Sequence, residues 1–434
     1  MSNTPPFPPA THANWLAQVQ KDLRDPAALD TLTWAAPAGF AVVPYCTAEQ
    51  TAPLAEAISR QQAVQKATPG WLNTPAYTPT PGHEKTGNLA LRHALANGAD
   101  ALLLHIPAGL TLTRLLDGIK LSTHPVFFRL DDDVPVEAFL TNLCQIAPYQ
   151  LRGGLLARSG TLPPAALAVA LRLLKESPGF RVAGLSSDEF HNNGANATQE
   201  LAFTLAQLAD LRRVPGLSDL PALWPRLAVS MPVGTSYFME IAKLRAMRVL
   251  LTRLEPAANP ASVFVHASTS AFCETAATPY TNLVRATTES LAAVIGGADA
   301  LTIRPYDAVF GTDTPTEFSQ RIARNISNLL VHEGYLGHVA DPGAGSHYLE
   351  TLTHQLAEAA WQVIEQVEQL GGLAAARQTG FIQTELDRTY QAQIRAIEDG
   401  QAIVGVTKYR HDEPGSLPTP PVEDGVRRRA KLFE

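Results

Sequence analysis

The stretch ALLLHIPAGLTLTRLLDGIKLSTHPVFFRL, residues 101–130, decides the fold class. It begins with the apolar run Ala101–Ile106 and ends with the apolar run Pro125–Leu130, and the residues between them are amphipathic. Runs that are apolar throughout are typical of parallel strands covered on both faces, since neither face of such a strand meets water. The stretch therefore predicts a β-strand, a helical connection and a second, parallel strand.

The same alternation continues along the chain, and helical segments separate most of the apolar runs, as in repeated βα units. The predicted strands are Ala101–Ile106, Pro125–Leu130, Gly154–Ala157, Phe180–Leu185, Leu227–Pro232, Ser262–Ala267, Ala300–Arg304 and His338–Ala340. Parallel strands of this number could close as a barrel or spread as a doubly wound sheet. Because the first run leads into Pro107-Ala108-Gly109 and not into a GxGxxG turn, we expect an α/β fold of the (β/α)8 TIM barrel type.

Both ends of the chain depart from this pattern. Residues 1–12 are rich in proline, which fixes φ and removes a backbone donor, so they predict an extended arm. A short amphipathic helix follows, with apolar residues at helical spacing: Trp15, Leu16, Val19 and Leu23. The arm and helix could dock on a partner or form a frayed terminus. We expect this N-terminal arm and docking helix over residues 1–60, the barrel over 61–400 and a C-terminal tail over 401–434.

The tail contains the basic run Arg427-Arg428-Arg429-Ala430-Lys431. Such a run could contact an acidic partner or the phosphates of a ligand, but short charge runs are usually solvated. We therefore interpret it as a solvated tail.

The composition argues against several functional classes. The net charge of −7 argues against nucleic-acid binding, which needs a basic surface to neutralise phosphates. No uncharged apolar run reaches the roughly 18 residues of a transmembrane helix, and the N-terminus lacks a secretory signal. Cys46, Cys144 and Cys273 lie far apart, which is typical of reduced thiols and not of disulfides or a zinc site. We expect a cytoplasmic protein that contacts no membrane and holds no metal.

In a (β/α)8 barrel the active site lies at the carboxyl ends of the strands. His191 follows the fourth predicted strand and could act as a general acid or polarise a carbonyl, although it could equally be a packing residue. Ser268 and Arg304 follow or end two later strands and are candidates for substrate binding. The turn Asp341–Ser346 could cradle phosphate, or it could be a Pro-Gly turn with Ser346 as a helix N-cap.

Several collinear segments resemble methylmalonyl-CoA mutases. They are FMEIAKLRA at residues 238–246, TPYTNLVR at 278–285, FSQRIARN at 318–325, DPGAGS at 341–346 and VGVTKYR at 404–410. The resemblance covers roughly residues 7–410. It implies a (β/α)8 barrel through which an acyl-CoA threads, and adenosylcobalamin as the cofactor that isomerises methylmalonyl-CoA and succinyl-CoA.

Three departures from the family pattern bear on activity. The sequence has no DxHxxG motif of the family's cobalamin-binding domain, so the resemblance implies that a partner subunit holds the cobalamin. The family's RPWTIRQYAGF segment resembles residues 69–78, where Trp71 remains, the arginines that contact the CoA phosphates are lost, and Tyr77 lies one residue out of register. The family's Tyr-His pair is Phe190-His191 here.

The small subunit of heterodimeric mutases resembles this chain in these losses, and its opening is similar to residues 7–23 and Leu32–Trp34. We expect a small subunit that is not catalytic itself and stabilises a large cobalamin-binding subunit, with His191 and Tyr77 as vestiges. The alternative is a catalytic acyl-CoA mutase barrel that works with a separate cobalamin-binding subunit and uses His191 and Tyr77 on the thioester. A third hypothesis, a module that only binds acyl-CoA or a chaperone partner, has no feature in its favour. A barrel interior filled by bulky side chains would favour the first hypothesis, and an open axial channel the second.

Overall fold

The computed structural model describes residues 11–23, 30–157, 163–214, 223–256, 259–311, 315–411 and 426–434. The prolines of the predicted N-terminal arm, at residues 5–9, lie outside these ranges. The helices are α1 (His12–Leu23), α2 (Ala48–Thr51), α3 (Ala55–Ala63), α4 (Glu84–Ala96), α5 (Leu112–Leu115), α6 (Val136–Ile146), α7 (Pro164–Leu173), α8 (Asp188–Asn192), α9 (Ala197–Arg212), α10 (Tyr237–Leu254), α11 (Thr281–Ile295), α12 (Glu317–His332), α13 (His347–Gln369), α14 (Leu373–Gln378) and α15 (Phe381–Glu398). Among the helices of these ranges, none combines the length and the apolar character that crossing a bilayer requires.

The strands form one small antiparallel hairpin and two larger parallel sheets. They are β1 (Trp34–Ala35), β2 (Ala41–Val42), β3 (Leu72–Asn73), β4 (Ala76–Tyr77), β5 (Leu102–Ile106), β6 (Val126–Leu130), β7 (Gly153–Leu155), β8 (Phe180–Arg181), β9 (Ala183–Ser186), β10 (Leu227–Val233), β11 (Phe264–Thr269) and β12 (Ala300–Thr302). The hairpin pairs β1 with β2, one sheet has the order β3-β12-β11-β10-β9, and the other has the order β4-β5-β6-β7-β8. Helices alternate with most of the strands of the two parallel sheets, as the sequence predicts.

The edge strands of one parallel sheet are nearly continuous along the chain with the edge strands of the other. Only Thr74 and Pro75 separate β3 from β4, and only Val182 separates β8 from β9. The backbone N–H of Thr74 donates to Leu301 of one sheet at 2.9 Å, and the carbonyl of Pro75 accepts from Leu103 of the other at 3.0 Å. This mixed α/β arrangement is consistent with a TIM-barrel-like fold.

One predicted strand is wrong, and besides the two short strands of the hairpin one strand of the parallel sheets was missed. Leu336–His338 form a short 3-10 helix where the run 338–340 was predicted to be a strand. Val339 is 57% exposed, so this run does not have the two covered faces that its apolar character suggested. The missed strand is the pair β3 and β4. It was missed because Pro75, which lies between them, lacks the amide donor that a continuous strand uses and divides the apolar pattern into two short pieces.

The facing sides of the two sheets meet in an apolar cluster near the amino ends of the strands. Phe127 of one sheet and Phe264 of the other lie with ring centroids 5.0 Å apart. The cluster also contains Leu72, Ala76, Ala101, Leu103, Leu156 and Ala228. The Arg181 guanidinium lies 5.6 Å from the centre of the Phe264 ring, and burial lowers its pKa. The space between the sheets is therefore filled by side chains at this end.

The C-terminal basic run is not solvated as interpreted from the sequence. Arg428 pairs with Glu434 at 2.9 Å and is 8% exposed, and Ala430 is fully buried. Arg427 forms an ion pair with Asp387 of α15. Residues 426–434 thus pack onto the body of the protein, and Lys431 is the member of the run that stays exposed.

Candidate active site

His191 lies on α8, directly after the carboxyl end of β9. The next helix, α9, begins with a capping box, in which the Asn196 side chain accepts from the Gln199 N–H at 2.9 Å and the Gln199 side chain accepts from the Asn196 N–H at 3.2 Å. These two bonds satisfy amides that no helical carbonyl reaches, so they fix where the helix starts. The cap places Glu200 in the first turn of α9, facing His191.

Both ring nitrogens of His191 are hydrogen-bonded. Nδ1 lies 2.8 Å from Glu200 Oε1, and Nε2 lies 2.6 Å from Ser270 Oγ, just beyond β11. The His191 residue is 5% exposed, and its ring contacts the Phe272 ring edge to face, with centroids 5.8 Å apart. A carboxylate on one nitrogen and a hydroxyl on the other is the arrangement that orients an imidazole for proton transfer.

A buried lysine contacts the second oxygen of the Glu200 carboxylate. Lys243 of α10 has no exposed surface, and its Nζ lies 2.9 Å from Glu200 Oε2, 2.6 Å from Glu240 Oε2 and 2.8 Å from the Pro232 carbonyl. Burial alone would lower the pKa of Lys243, but the two carboxylates raise it above its ordinary value. Burial alone would raise the pKa of Glu200, but Lys243 and His191 lower it. We name Ser270, His191, Glu200, Lys243 and Glu240 the His191 cluster.

A further buried carboxyl group borders the His191 cluster. Glu289 of α11 is 3% exposed, and its Oε2 accepts from the backbone N–H of Ser270 at 3.1 Å. Burial raises the pKa of Glu289 to about 8. The group is therefore largely protonated near neutral pH, since its neutral form avoids the cost of burying a charge.

A second polar group lies between the two sheets, above the apolar cluster. Arg129 Nη2 lies 2.7 Å from Asp188 Oδ2 and donates to Ser230 Oγ at 2.6 Å. His266 is bonded through Nδ1 to Ser230 Oγ at 2.9 Å and through Nε2 to Thr302 Oγ1 at 2.8 Å. We name these five residues, Arg129, Asp188, Ser230, His266 and Thr302, the inner network. Burial, with Arg129 and His105 nearby, lowers the pKa of His266 well below its ordinary value, so the ring is neutral.

Tyr77, the predicted partner of His191, lies on the other side of its strand. Its neighbour Ala76 packs into the apolar cluster between the sheets, whereas Tyr77 packs against the core between sheet and helices. Burial raises the pKa of Tyr77, and Arg324 of α12 interacts with it. The fold therefore does not bring Tyr77 to His191.

The two predicted substrate-binding residues have different surroundings. The Arg304 guanidinium donates two bonds to Glu274, from Nε to Oε1 at 2.9 Å and from Nη2 to Oε2 at 3.2 Å. Ser268 follows His266 by two residues on β11, so the two point to the same side of the sheet, and Ser268 is partly exposed. Neither contacts His191 through a described hydrogen bond, whereas Ser270 does.

The turn at residues 341–346 is a helix cap. Ser346 is the N-cap of α13 and accepts from the Leu349 N–H at 3.4 Å, and the Gly345 N–H donates to Glu350 Oε1 at 3.0 Å. Asp341 and Glu350 both pair with the buried Arg245. Amides that could cradle phosphate are thus bound within the protein, next to two carboxylates that would repel an anion.

Residues 168–432 match the family described as methylmalonyl-CoA mutase. A methylmalonyl-CoA mutase small subunit from Streptomyces virginiae is 32% identical over 440 residues, which cover 93% of this chain and 71% of that protein.

The chain belongs to the methylmalonyl-CoA mutase family.

Other relatives fall into two kinds. A probable methylmalonyl-CoA mutase small subunit from Mycobacterium bovis is 32% identical over 84% of this chain and 63% of its own length. The methylmalonyl-CoA mutase of Rhizobium meliloti is 35% identical over 59% of this chain, and the match spans 37% of that mutase. The resemblance noted in the sequence is therefore confirmed. The matches to the Streptomyces virginiae and Mycobacterium bovis small subunits extend over more of this chain than the match to the Rhizobium meliloti mutase.

Proposed function

We propose that this chain is the small subunit of a heterodimeric, adenosylcobalamin-dependent methylmalonyl-CoA mutase of the cytoplasm. In this proposal it stabilises a large subunit that holds the cobalamin, and its own site does not turn over substrate. The two parallel sheets form one (β/α)8 barrel in which residues 72–77 and 180–186 each belong to both sheets. The backbone bonds of Thr74 and Pro75 to opposite sheets support this closure.

The observation that carries the non-catalytic role is the filled space between the sheets. A mutase barrel that threads an acyl-CoA along its axis needs that space empty. Here the stacked rings of Phe127 and Phe264 occupy it near the amino ends of the strands. The inner network occupies it further up, where His266 is fully buried and bonded through both ring nitrogens. A substrate chain would have to displace both layers.

One observation favours the alternative of a catalytic barrel that works with a separate cobalamin-binding subunit. His191 keeps a carboxylate on Nδ1, which is how proteins orient a working imidazole. In that case His191 polarises the thioester carbonyl, and Ser268 and Arg304 hold the acyl-CoA. Tyr77 would assist only if β4 presented its opposite face to the barrel interior. Arg304 would bind the acyl-CoA only if its two bonds to Glu274 broke.

The N-terminal region supports a partner subunit. Helix α1 has no buried residue, and Trp15 packs instead on Tyr45, with ring centroids 5.2 Å apart. Large apolar side chains are exposed around the β1–β2 hairpin, including Trp34 at 41% and Tyr45 at 48%. A hairpin and a helix with so few buried residues are only marginally stable by themselves. Clusters of exposed apolar side chains are typical of protein interfaces. We propose that residues 11–23 and 30–45 contact the large subunit.

Turnover measurements test the proposed role. Methylmalonyl-CoA and adenosylcobalamin are supplied to this chain alone, to a cobalamin-binding large subunit alone, and to the two together. We expect no turnover from this chain, and higher or steadier turnover from the pair than from the large subunit. His191→Ala should leave the turnover of the pair nearly unchanged, and a large loss with assembly intact would favour the catalytic alternative. So would turnover with a partner that has only a cobalamin domain.

Association measurements test the interface. Trp34→Ser with Tyr45→Ser should weaken binding to the large subunit in analytical ultracentrifugation. Leu89→Ser, at a 67% exposed leucine of α4, is the matched control and should leave association unchanged. Equal affinity of the double variant and the control would contradict the proposed interface.

A further inference from the structure

We propose that residues 426–434, the strap, close the His191 cluster, and that the strap opens locally without unfolding of the body of the protein. The strap controls access to His191 whether or not the barrel catalyses a reaction.

The backbone of the strap is fastened to both sides of His191. The Arg427 N–H donates to the carbonyl of Asn192, the residue next to His191, at 2.7 Å. The Arg429 N–H donates to the carbonyl of Phe272, whose ring contacts the imidazole, at 3.2 Å. The strap is therefore bonded to the backbone of two residues that adjoin the histidine end of the cluster.

Two arginine side chains extend this attachment. Arg429 Nη2 donates to Thr235 Oγ1 at 2.9 Å, in the segment between β10 and α10. Arg427 forms an ion pair with Asp387 of α15, and its guanidinium lies 5.6 Å from the centre of the Tyr390 ring. The strap thus bridges the segments that follow β9, β10 and β11, where a ligand of the cluster would have to enter.

The far end of the strap is held by the protein as well. The Glu434 side chain accepts from the Ala276 N–H at 2.5 Å and pairs with Arg428. Phe433 packs against the small apolar cluster of Ile397, Ile403, Val406 and Ala430. This cluster is separate from the main core, so it can come apart while the main core stays intact.

The ion pair that joins the strap to α15 is weak. The side chains of Arg427 and Asp387 are 36% and 48% exposed, and ion pairs so exposed contribute little and are screened by salt. The bond from Arg427 lowers the pKa of Asp387, as expected for a pair that forms in the closed state. An attachment this weak favours local opening of the strap over unfolding of the whole protein.

Chemical modification of histidines in the full chain tests the proposal. Diethyl pyrocarbonate is the probe, and mass spectrometry of the peptides measures the rate at His191. The double variant Arg427→Ala and Arg429→Ala should be modified at His191 about tenfold faster than the natural chain, since it loses the charged-donor bond from Arg429 to Thr235 together with the weak Arg427 ion pair. Equal rates at His191, with circular dichroism unchanged, would overturn the proposal.

Three controls separate opening from general loosening. Arg253→Ala removes a matched ion pair with Glu358 that also has an aromatic neighbour, Trp361, and should leave the rate at His191 unchanged. His93 is exposed and should react equally in every variant, and His266 should stay protected in all of them. Faster modification of His266 together with His191 would mean general unfolding and would refute a local strap.

Hydrogen exchange of the natural chain gives an answer even if the double variant does not fold. Amides of residues 426–434 should exchange faster than those of β10, and the difference should grow as salt is raised. Exchange of the strap only at the rate of β10 would show that it opens with the whole protein, which would overturn the proposal.

Discussion

The His191 cluster and the inner network each bury a histidine, but they stabilise it in opposite ways. His266 lies between the hydroxyls of Ser230 and Thr302, with the cation of Arg129 close by, so burial keeps it neutral. His191 lies between a hydroxyl and Glu200, and that carboxylate is in turn balanced by Lys243. A buried histidine can therefore be held either between hydroxyls, which leave the ring neutral, or against a carboxylate whose charge a buried lysine balances. Removing one member should cost far more in the second kind of site.

The largest expected effect is at Lys243. Lys243→Met leaves Glu200 and Glu240 buried without a cation, and breaking a buried pair in this way costs about 3–5 kcal/mol of unfolding free energy. Arg129→Met should cost less, because the side chains of Arg129 and Asp188 are 11% and 13% exposed and water can solvate the remaining carboxylate. Urea denaturation of both variants measures the difference. Adding Glu200→Gln to Lys243→Met should recover part of the lost unfolding free energy. Equal losses for Lys243→Met and Arg129→Met would contradict the contrast between the two sites.

The second effect is a pH dependence from Glu289. Its folded pKa of about 8 lies above its unfolded value, so the stability it contributes is fully present below the unfolded pKa. That stability is lost as the pH rises toward and through 8, because the unfolded chain ionises first. The change is on the order of a few kcal/mol at most. The unfolding free energy, measured by urea denaturation, should differ less between pH 6 and pH 8 for Glu289→Gln than for the natural chain. An equal difference in the two proteins would contradict a neutral, buried Glu289.

The third effect concerns His266. Its folded pKa lies below the unfolded value, so its contribution to stability is present above the unfolded pKa and is lost as the pH falls. We expect its ring resonances in NMR spectra to stay in place from pH 8 to pH 5. His266→Ala leaves the hydroxyls of Ser230 and Thr302 without a partner and should cost about 1–3 kcal/mol. A titration of the ring within that pH range would show that the inner network is hydrated or charged.

The smallest effect is expected where an ion pair is exposed. The Arg253 and Glu358 side chains are 39% and 50% exposed, so Arg253→Ala should change the unfolding free energy by about 0–1 kcal/mol. Thermal or urea unfolding measures this baseline. A loss as large as that of Lys243→Met would mean that burial does not distinguish the two kinds of pair.

Sequence patterns predicted most of the strands because their residues are covered on both faces. The runs around residues 102–106 and 227–233 are apolar nearly throughout, and both form strands of the two sheets. The pattern failed where a strand is very short. Residues 72–77 pair with both sheets although Pro75 interrupts them, and residues 338–340 read as apolar although Val339 is exposed.

For the site, the sequence identified His191 but not the residues that hold it. Glu200 and Lys243 are 43 positions apart and look like ordinary helical surface charges, since no local pattern separates a buried charge from a solvated one. Only the packing of α9 against α10 places them 2.9 Å apart. The capping box at Asn196 was the one local signal that could have placed Glu200 at the start of a helix.

By itself the sequence determined the alternation of strands and helices, the family, and the histidine at the end of a strand, because these depend on local burial patterns and on collinear motifs. Tertiary structure decided which side chains meet. Side chains alternate between the two faces of a strand, so Tyr77, one residue out of register, packs outward while Ala76 packs inward. Likewise only the folded chain brings residues 426–434 next to His191, since the backbone bonds to Asn192 and Phe272 join parts of the chain more than 150 residues apart.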